Sequence, residues 1–257
     1  MNIQHPQDGI PIGLNKLDIG TGANVRVRAY FENISKLFAN VRDAADIHLE
    51  SWADTRLYDA RCSWFDPFVA NHGHPGTFQW GTFSSSQLFA EQLPKISFPH
   101  SFNNPPNVIV WIRSLDVDKV NNPRVEALAT DVTDHDFTLH LRTWGGTHVY
   151  DVTVDWIAVS RDNPSVRVGQ FTATPDVFPS GLGEGKTGYT GRLDFGQAFG
   201  QPPRVVVGFN KIDAAKEKNL RIEANADKIT NTGFEMVINS WGDSVIYGGG
   251  AAYIAFI

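Results

Sequence analysis

QPPRVVVGFNKIDAAKEKNLRIEANA (residues 201–226) aligns with NPPNVIVWIRSLDVDKVNNPRVEALA (104–129) and with GIPIGLNKLDIGTGANVRVRAYF (9–31). Each stretch places an Asp eight residues before an Arg: Asp213 and Arg221, Asp116 and Arg124, Asp18 and Arg26. Downstream, each copy carries a Trp and a Tyr six positions apart: Trp241 and Tyr247, Trp144 and Tyr150, Trp52 and Tyr58. Twelve positions beyond each Trp stands another aromatic: Tyr253, Trp156 and Trp64. Offsets repeated three times in one chain mark tandem structural units.

The copies are unequal. From Arg to Trp is 20 residues in the second and third copies but 26 in the first, which places an insertion, read as a longer loop, in residues 35–46. Ahead of Asp116 the second copy runs 40 positions from Gly76, and the third runs 45 from Val168 to Asp213, whereas only 17 residues precede Asp18. The units are therefore a partial repeat at 1–68 and complete ones at 76–160 and 168–257. The partial unit lacks whatever the others build before their Pro-Pro step. Either the chain is a piece of a longer one, or another part of the assembly supplies the missing strand. The linkers, 66–76 and 160–166, are short enough to suit units packed side by side.

The segments between turns are short, rich in Val, Ile, Thr and aromatics, and alternate with period two. Successive side chains of a strand point to opposite faces. Phe137, Leu139 and Leu141 therefore share one face while Thr138, His140, Arg142 and Trp144 share the other. The third copy sets Phe234, Met236 and Ile238 against Glu235, Asn239 and Trp241, and the first sets Ile47 and Leu49 against His48, Glu50 and Trp52. The Arg obeys the same rule: Val125 and Ala127 point inward, Arg124 and Glu126 outward. In all three copies an Arg and a Trp thus stand on the polar phase, facing solvent or a neighbour. The fold expected is all-β, about six short antiparallel strands per unit, most simply a sandwich. Residues 33–51, where Leu37, Val41 and Ala45 recur, carry a weak helical pattern. Trp156 and Trp64 read as core, and Tyr150, in phase with Val152, Val154 and Trp156, as partly core.

Composition narrows the function classes. The 257 residues are 42% hydrophobic and 19% charged, with 22 Lys+Arg against 28 Asp+Glu and a net charge of −6, which disfavours a nucleic-acid binder. No apolar run approaches the roughly 20 residues of a membrane span. Cys62 is the single cysteine, so neither an internal disulfide nor a cysteine zinc site is available. The opening residues show no signal peptide, and the expectation is a cytoplasmic protein or one released without a classical signal. No cofactor motif is present.

An outward Trp near Arg, with Tyr, Asp and Asn close in sequence, suits a sugar. The C–H face of a pyranose packs on an aromatic ring, and its hydroxyls take planar, bidentate partners. The competing reading is that Trp and Arg stack on each other between units by cation–π contact.

The run PP-x-V-x(7)-D-x(7)-R-[VI], then F-x(6)-W-x(5)-Y and an aromatic twelve positions after the Trp, resembles the H-type lectin family. The likeness covers essentially the whole chain, with the first unit partial. It implies six-stranded antiparallel sandwiches assembled as a trimer, and binding of N-acetylgalactosamine or galactose near contacts between units. The residues it carries over are Arg26, Arg124 and Arg221, Trp52, Trp144 and Trp241, and Tyr58, Tyr150 and Tyr247. Where the family's snail agglutinin has His after the Trp, this chain has Ala53, Gly145 and Gly242. The next position is Asp54, Gly146 and Asp243, so two copies regain a hydrogen-bonding side chain. The family's acidic loop residue falls near Glu184 in the third copy and near Ser86 or Gln87 in the second, and is absent from the first. The resemblance implies glycans as partners, and an intramolecular pseudo-trimer or a homo-oligomer as the assembly. If sites are shared between neighbours, the loop of unit two completes the Arg26/Trp52 site and that of unit three the Arg124/Trp144 site. The Arg221/Trp241 site is left without an acidic loop partner.

Two rivals stand beside a lectin. A glycosidase would need two carboxylates about 5–9 Å apart, with Asp116 or Asp151 as candidates. Asp18, Asp116 and Asp213 instead read as strand-end residues making turn hydrogen bonds. No nucleophile elbow, phosphate loop or HExxH segment occurs, and His72 and His74 read as linker rather than metal ligands. The other rival is an interaction module whose outward Trp residues pack between repeats.

Overall fold

The computed structural model describes residues 3–4, 9–38, 41–66, 77–173 and 188–257, with side chains placed except at 3–4, 35–38 and 41–44. All its regular elements are strands, as the period-two alternation requires. After a short β1 (Ile3–Gln4), unit one contributes β2 (Ile12–Ile19), β3 (Val25–Phe38), β4 (Val41–Glu50) and β5 (Leu57–Trp64). Unit two contributes β6 (Phe78–Leu88), β7 (Lys95–Ser97), β8 (Asn107–Val117), β9 (Arg124–Thr130), β10 (Asp136–Arg142) and β11 (Val149–Val159). Unit three contributes β12 (Val166–Ala173), β13 (Gly188–Asp194), β14 (Arg204–Ala214), β15 (Leu220–Asp227), β16 (Gly233–Asn239) and β17 (Ile246–Phe256). The weak helical pattern at 33–51 is overruled. Those residues pair as β3 and β4, so the insertion lengthens a hairpin rather than a loop.

The strands form three antiparallel sheets, ordered β1-β6-β11-β8-β3-β4, β12-β17-β14-β9-β10-β7 and β13-β16-β15-β2-β5. Every sheet crosses a boundary between units. β8 of unit two pairs with β3 of unit one, β14 of unit three with β9 of unit two, and β2 of unit one with β15 of unit three. The three seams close a ring within one chain, and each satisfies strand edges that a lone sandwich would leave open.

Two apolar clusters result. The larger fills the sandwiches and contains Phe137, Leu139, Leu141, Phe234, Met236 and Ile238, as the alternation requires. The smaller draws Phe65, Phe78, Trp111, Val166 and Ile254, among others, from all three units. At its centre Trp111 is fully buried, and its Nε1 donates to the Ala252 carbonyl at 3.0 Å. Gly13 and Gly208 occupy the positions equivalent to Trp111, five before each repeated Asp. A Cβ on Gly13 would stand 2.7 Å from Trp111 Cβ, and one on Gly208 2.7 Å from Trp111 Cγ. Three equivalent positions therefore meet on a pseudo-threefold axis, where one indole fills the space that two glycines vacate.

Trp156 and Tyr253 are core, Trp156 packing on Phe98 and Phe137, and Tyr253 on Phe195 and Phe234. Trp64 is not: it is 47% exposed, and among the described residues its ring pairs edge-on with Phe31 at 6.2 Å. β6 and β12 flank β11 and β17 in the other sheets, whereas β5 is the last strand of its sheet among the described residues. Among the described residues no strand there corresponds to the one that covers the equivalent rings.

Tyr150 is also displaced from its expected place. The β8–β11 register skips between Val149 and Asp151, and the same skip occurs around Tyr58 and around Tyr247. All three tyrosines are the extra residue of a β-bulge. A bulge re-aims its side chain, so Tyr58, Tyr150 and Tyr247 are exposed despite their apolar phase.

Candidate functional site

The seams bring the repeated polar residues together, each time across units. Asp116 lies opposite Arg26, Asp213 opposite Arg124 and Asp18 opposite Arg221. Arg26 Nε reaches Asp116 at 3.3 Å, Arg124 Nε reaches Asp213 at 3.2 Å and Arg221 Nε reaches Asp18 at 3.3 Å. The repeated Asp is thus an ion-pair partner supplied to the neighbouring unit, not a turn residue. The sequence offset of eight reflects two consecutive strands of one unit that lie in different sheets, each of which meets a different neighbour.

The loop after each Trp is built alike three times. Thr55 N–H donates to the Trp52 carbonyl, Thr147 to Trp144 and Ser244 to Trp241, while the same hydroxyls donate to the carbonyls of Asn24, Asn122 and Asn219. Those three Asn side chains accept from the neighbour's backbone N–H at Lys119, Lys216 and Thr21. The residue following each Trp, Ala53, Gly145 or Gly242, has φ of 55, 63 or 64°. A Cβ at Gly242 would stand 2.7 Å from Arg221 Nη1, so this turn closes directly onto the Arg. None of the Asn or Thr/Ser set was singled out from sequence, although each recurs at a fixed offset: Asn two before the Arg, Thr or Ser three after the Trp.

The three Arg differ in how fully they are paired. Arg26 Nη1 donates to Asp54 at 2.6 Å and Arg221 Nη1 to Asp243 at 2.8 Å. Those hydrogen bonds hold both carboxyls below the ordinary aspartate range. In unit two the corresponding residue is Gly146, and Arg124 Nη1 reaches only the Gly145 carbonyl, at 3.3 Å. Among the described residues Arg124 therefore has one carboxylate partner where its counterparts have two. Burial pushes the Asp213 carboxyl up, opposed by Arg124 and by hydrogen bonding to Trp144.

Each Trp is half-buried, and a cation covers part of it. Lys211 of unit three lies 5.4 Å from the Trp144 ring centre, Lys16 of unit one 5.3 Å from Trp241, and Arg28 5.7 Å from Trp52. The cation–π contact weighed from sequence is present, but a neighbour's Lys or the Arg two positions on supplies it, not the motif Arg.

A second row of charges, two residues along each strand, is tuned to its neighbour. Glu126 faces Lys211 across one seam and Glu223 faces Lys16 across another, whereas Arg28 faces Ser114. Within units the ion pair is reversed to match: Arg28 pairs with Glu50 at 2.7 Å in unit one, while Glu126 pairs with Arg142 in unit two. Glu126, expected to point outward, does leave the sandwich core but is buried in the seam, with Lys211 at 3.2 Å.

One open arrangement lies at the seam of units two and three. There a cleft of about 460 Å³ is lined by Glu91, Arg142 and Trp144 of unit two and by Lys211, Asp213 and Tyr247 of unit three. Gly248, where unit two has Asp151 and unit one Asp59, leaves its floor clear. Tyr247 thus shares a cleft with its neighbour's Trp144, and the same register sets Tyr150 and Tyr58 two strands from Arg26 and Arg221, across the strands of Asp116 and Asp18. At the seam of units one and two, Asp151 lies opposite both Asp116 and Ser86, which leaves Ser86 three strands from Arg26. Burial, then the Asp116 charge, pushes the Asp151 carboxyl up. Glu184 lies outside the described residues, as do His72 and His74.

The sequence profile of the H-type lectin domain matches residues 9–65, 94–159 and 190–256. The ATP synthase subunits region ORF 7 protein of Fuscovulum blasticum is 33% identical over 64 residues, 25% of this chain and 56% of its own length. Discoidin-2 of Dictyostelium discoideum is 30% identical over 89 residues, 34% of each chain. The chain thus spans about half of one relative's length and a third of the other's. Among solved structures, recombinant discoidin II of Dictyostelium discoideum matches at 19% identity with a TM-score of 0.32, covering 69% of this chain and 76% of that one.

Proposed function

We propose that this chain, which belongs to the H-type lectin family, is a multivalent carbohydrate-binding protein that takes terminal N-acetylgalactosamine or galactose at its seams. The observation that carries the reading is the cleft between units two and three. Arg142 and Trp144 of unit two line it with Lys211, Asp213 and Tyr247 of unit three, and Asp213 in turn holds Arg124, whose Nη1 meets a backbone carbonyl and no second carboxylate among the described residues. A pyranose needs that combination: an aromatic surface for its C–H face and charged, planar partners for its hydroxyls. Arg26 and Arg221 carry a second carboxylate each, which supports unequal sites with the Arg124 site the strongest.

Binding accounts for the carboxylates better than catalysis does. Asp18, Asp116 and Asp213 are each engaged by an Arg, which suits positioning rather than proton transfer. Linked weak sites raise avidity by roughly 10²–10⁴ when their spacing matches the target, and three seams on one rigid ring are a ready means to that end.

The test is a glycan array on the full chain. Arg124→Ala would strand the Asp213 carboxylate, so the informative variant is Tyr247→Ala, whose ring is already 42% exposed. Terminal galactose-type signal that falls in this variant supports the reading. A blank array with a folded protein refutes it and leaves the Trp residues with their seam role alone.

A further inference from the structure

An exposed aromatic stack stands on unit two, and two of its three rings, Phe89 and His148, are no part of the seam sites described above. Leu88, at the end of β6, is buried, and Phe89 directly after it is turned outward and 64% exposed. Its ring stacks on His148 at 4.0 Å with 16° between planes, and His148 lies 4.1 Å from Tyr150. His148 is held from two sides: its Nε2 is 2.9 Å from Gln87 Oε1, and its backbone N–H donates to Asp118. Gln87 holds that position with φ of +57°, a left-handed conformation that costs a non-glycine residue energy. Strain, pre-assembly and exposure thus coincide at one place. His148 is particular to unit two, since its counterparts are Arg56 and Val245.

The stack continues into the first seam. Tyr150 is the bulged residue immediately before Asp151, which faces Asp116 and, one strand further, Arg26. We infer that Phe89, His148 and Tyr150 form a platform for a second pyranose, the residue next to the terminal sugar of a glycan held at the Arg26/Trp52 seam. The inference rests on the carbohydrate reading above. Its physical basis is that a preformed aromatic surface needs little ordering on binding, and a sugar's C–H face covers what is otherwise bare apolar area. The next sugar of a bound glycan meets it at high effective concentration.

The test is calorimetric titration of the full chain with methyl galactoside and with lactose, for the wild type, Phe89→Ala and Phe89→Tyr. The wild type is expected to prefer lactose roughly three- to ten-fold, the size of one added aromatic contact. Phe89→Ala abolishes the preference and leaves the methyl galactoside affinity unchanged, and Phe89→Tyr retains it. A wild type that binds both sugars alike, or a Phe89→Ala variant that keeps its preference or loses both affinities equally, overturns the platform alone. A wild type that binds neither overturns the galactose-type reading with it.

Discussion

Replacing Trp111 by Ala removes the one side chain that fills the pseudo-threefold axis. The indole is fully buried, and a ring of this size buries roughly 200 Å² on folding, so at about 25 cal/mol/Å² its transfer is worth roughly 5 kcal/mol as an upper figure. Its hydrogen bond to the Ala252 carbonyl adds about 1 kcal/mol. Neighbours usually recover part of such a loss by collapsing inward, but the facing positions are Gly13 and Gly208, which have no side chains to move. The cost should therefore fall at the upper end of the roughly 3–5 kcal/mol seen for large-to-Ala core changes. That is a large share of the roughly 5–15 kcal/mol total of a folded domain. Urea unfolding followed by far-UV circular dichroism should show a lowered midpoint at unchanged slope. A companion variant sharpens the test: Trp111→Gly combined with Gly208→Trp moves the ring to the equivalent position of unit three and should recover at least half of the loss. A loss below about 1.5 kcal/mol for Trp111→Ala, or no recovery in the relocated variant, would refute the account of one ring shared by three equivalent positions.

Gly146→Asp gives Arg124 the second carboxylate that Asp54 and Asp243 give its counterparts. Galactose-type binding at that seam should weaken several-fold in a titration, and unchanged affinity would mean that the spare donors of Arg124 are not used. Exchanging charges in unit two, Glu126→Arg with Arg142→Glu, sets an arginine against the buried Lys211 and should cost about 2–4 kcal/mol in chemical unfolding. The matching exchange in unit one, Arg28→Glu with Glu50→Arg, faces Ser114 and should cost less than about 1 kcal/mol, so equal costs would contradict the neighbour-matched row. Burial pushes the Asp155 carboxyl up, and its contacts with Arg113, Thr82 and the Ile12 N–H offset this only in part. The folded state then binds that proton more readily than the unfolded chain. This contribution to stability therefore rises as pH falls through the raised folded value and levels off below the unfolded value near about 3.9. Asp155→Asn lacks this proton uptake, so the wild type should gain on the variant between pH 7 and about 4, and parallel stability curves would exclude the effect.

Much of the site was legible because symmetry wrote it three times. Arg26, Arg124 and Arg221 and their Trp partners were visible from spacing alone, and their departure from the apolar phase was enough to send them out of the sandwich. Two phase arguments failed for physical reasons. Tyr150 shares the parity of Val152 and Val154, but an extra residue in β11 resets the parity, and nothing local announces a bulge. Trp64 shares the offset of Trp156 and Tyr253, yet burial of a ring depends on the strand beside it, and that strand is missing from its sheet among the described residues. Asn24, Asn122 and Asn219 were missed although their offset is as regular as that of the Arg. Asparagine near a turn has an ordinary local role, and only the seam shows it serving another unit.

The sequence by itself determined the repeat, the strand pattern and the face on which each polar residue stands, because those depend on spacing within a unit and on the two-residue period of a strand. Only the tertiary structure decided who meets whom. An Asp eight residues before an Arg sits on the preceding strand of the same unit, yet those two strands lie in different sheets and the ring joins each to a different neighbour. The pairing of each motif Arg with the repeated Asp, each Lys over a Trp and the tyrosine of the open cleft are therefore contacts between units. Such partners have no fixed sequence separation, so no reading along the chain could assign them before the three seams closed.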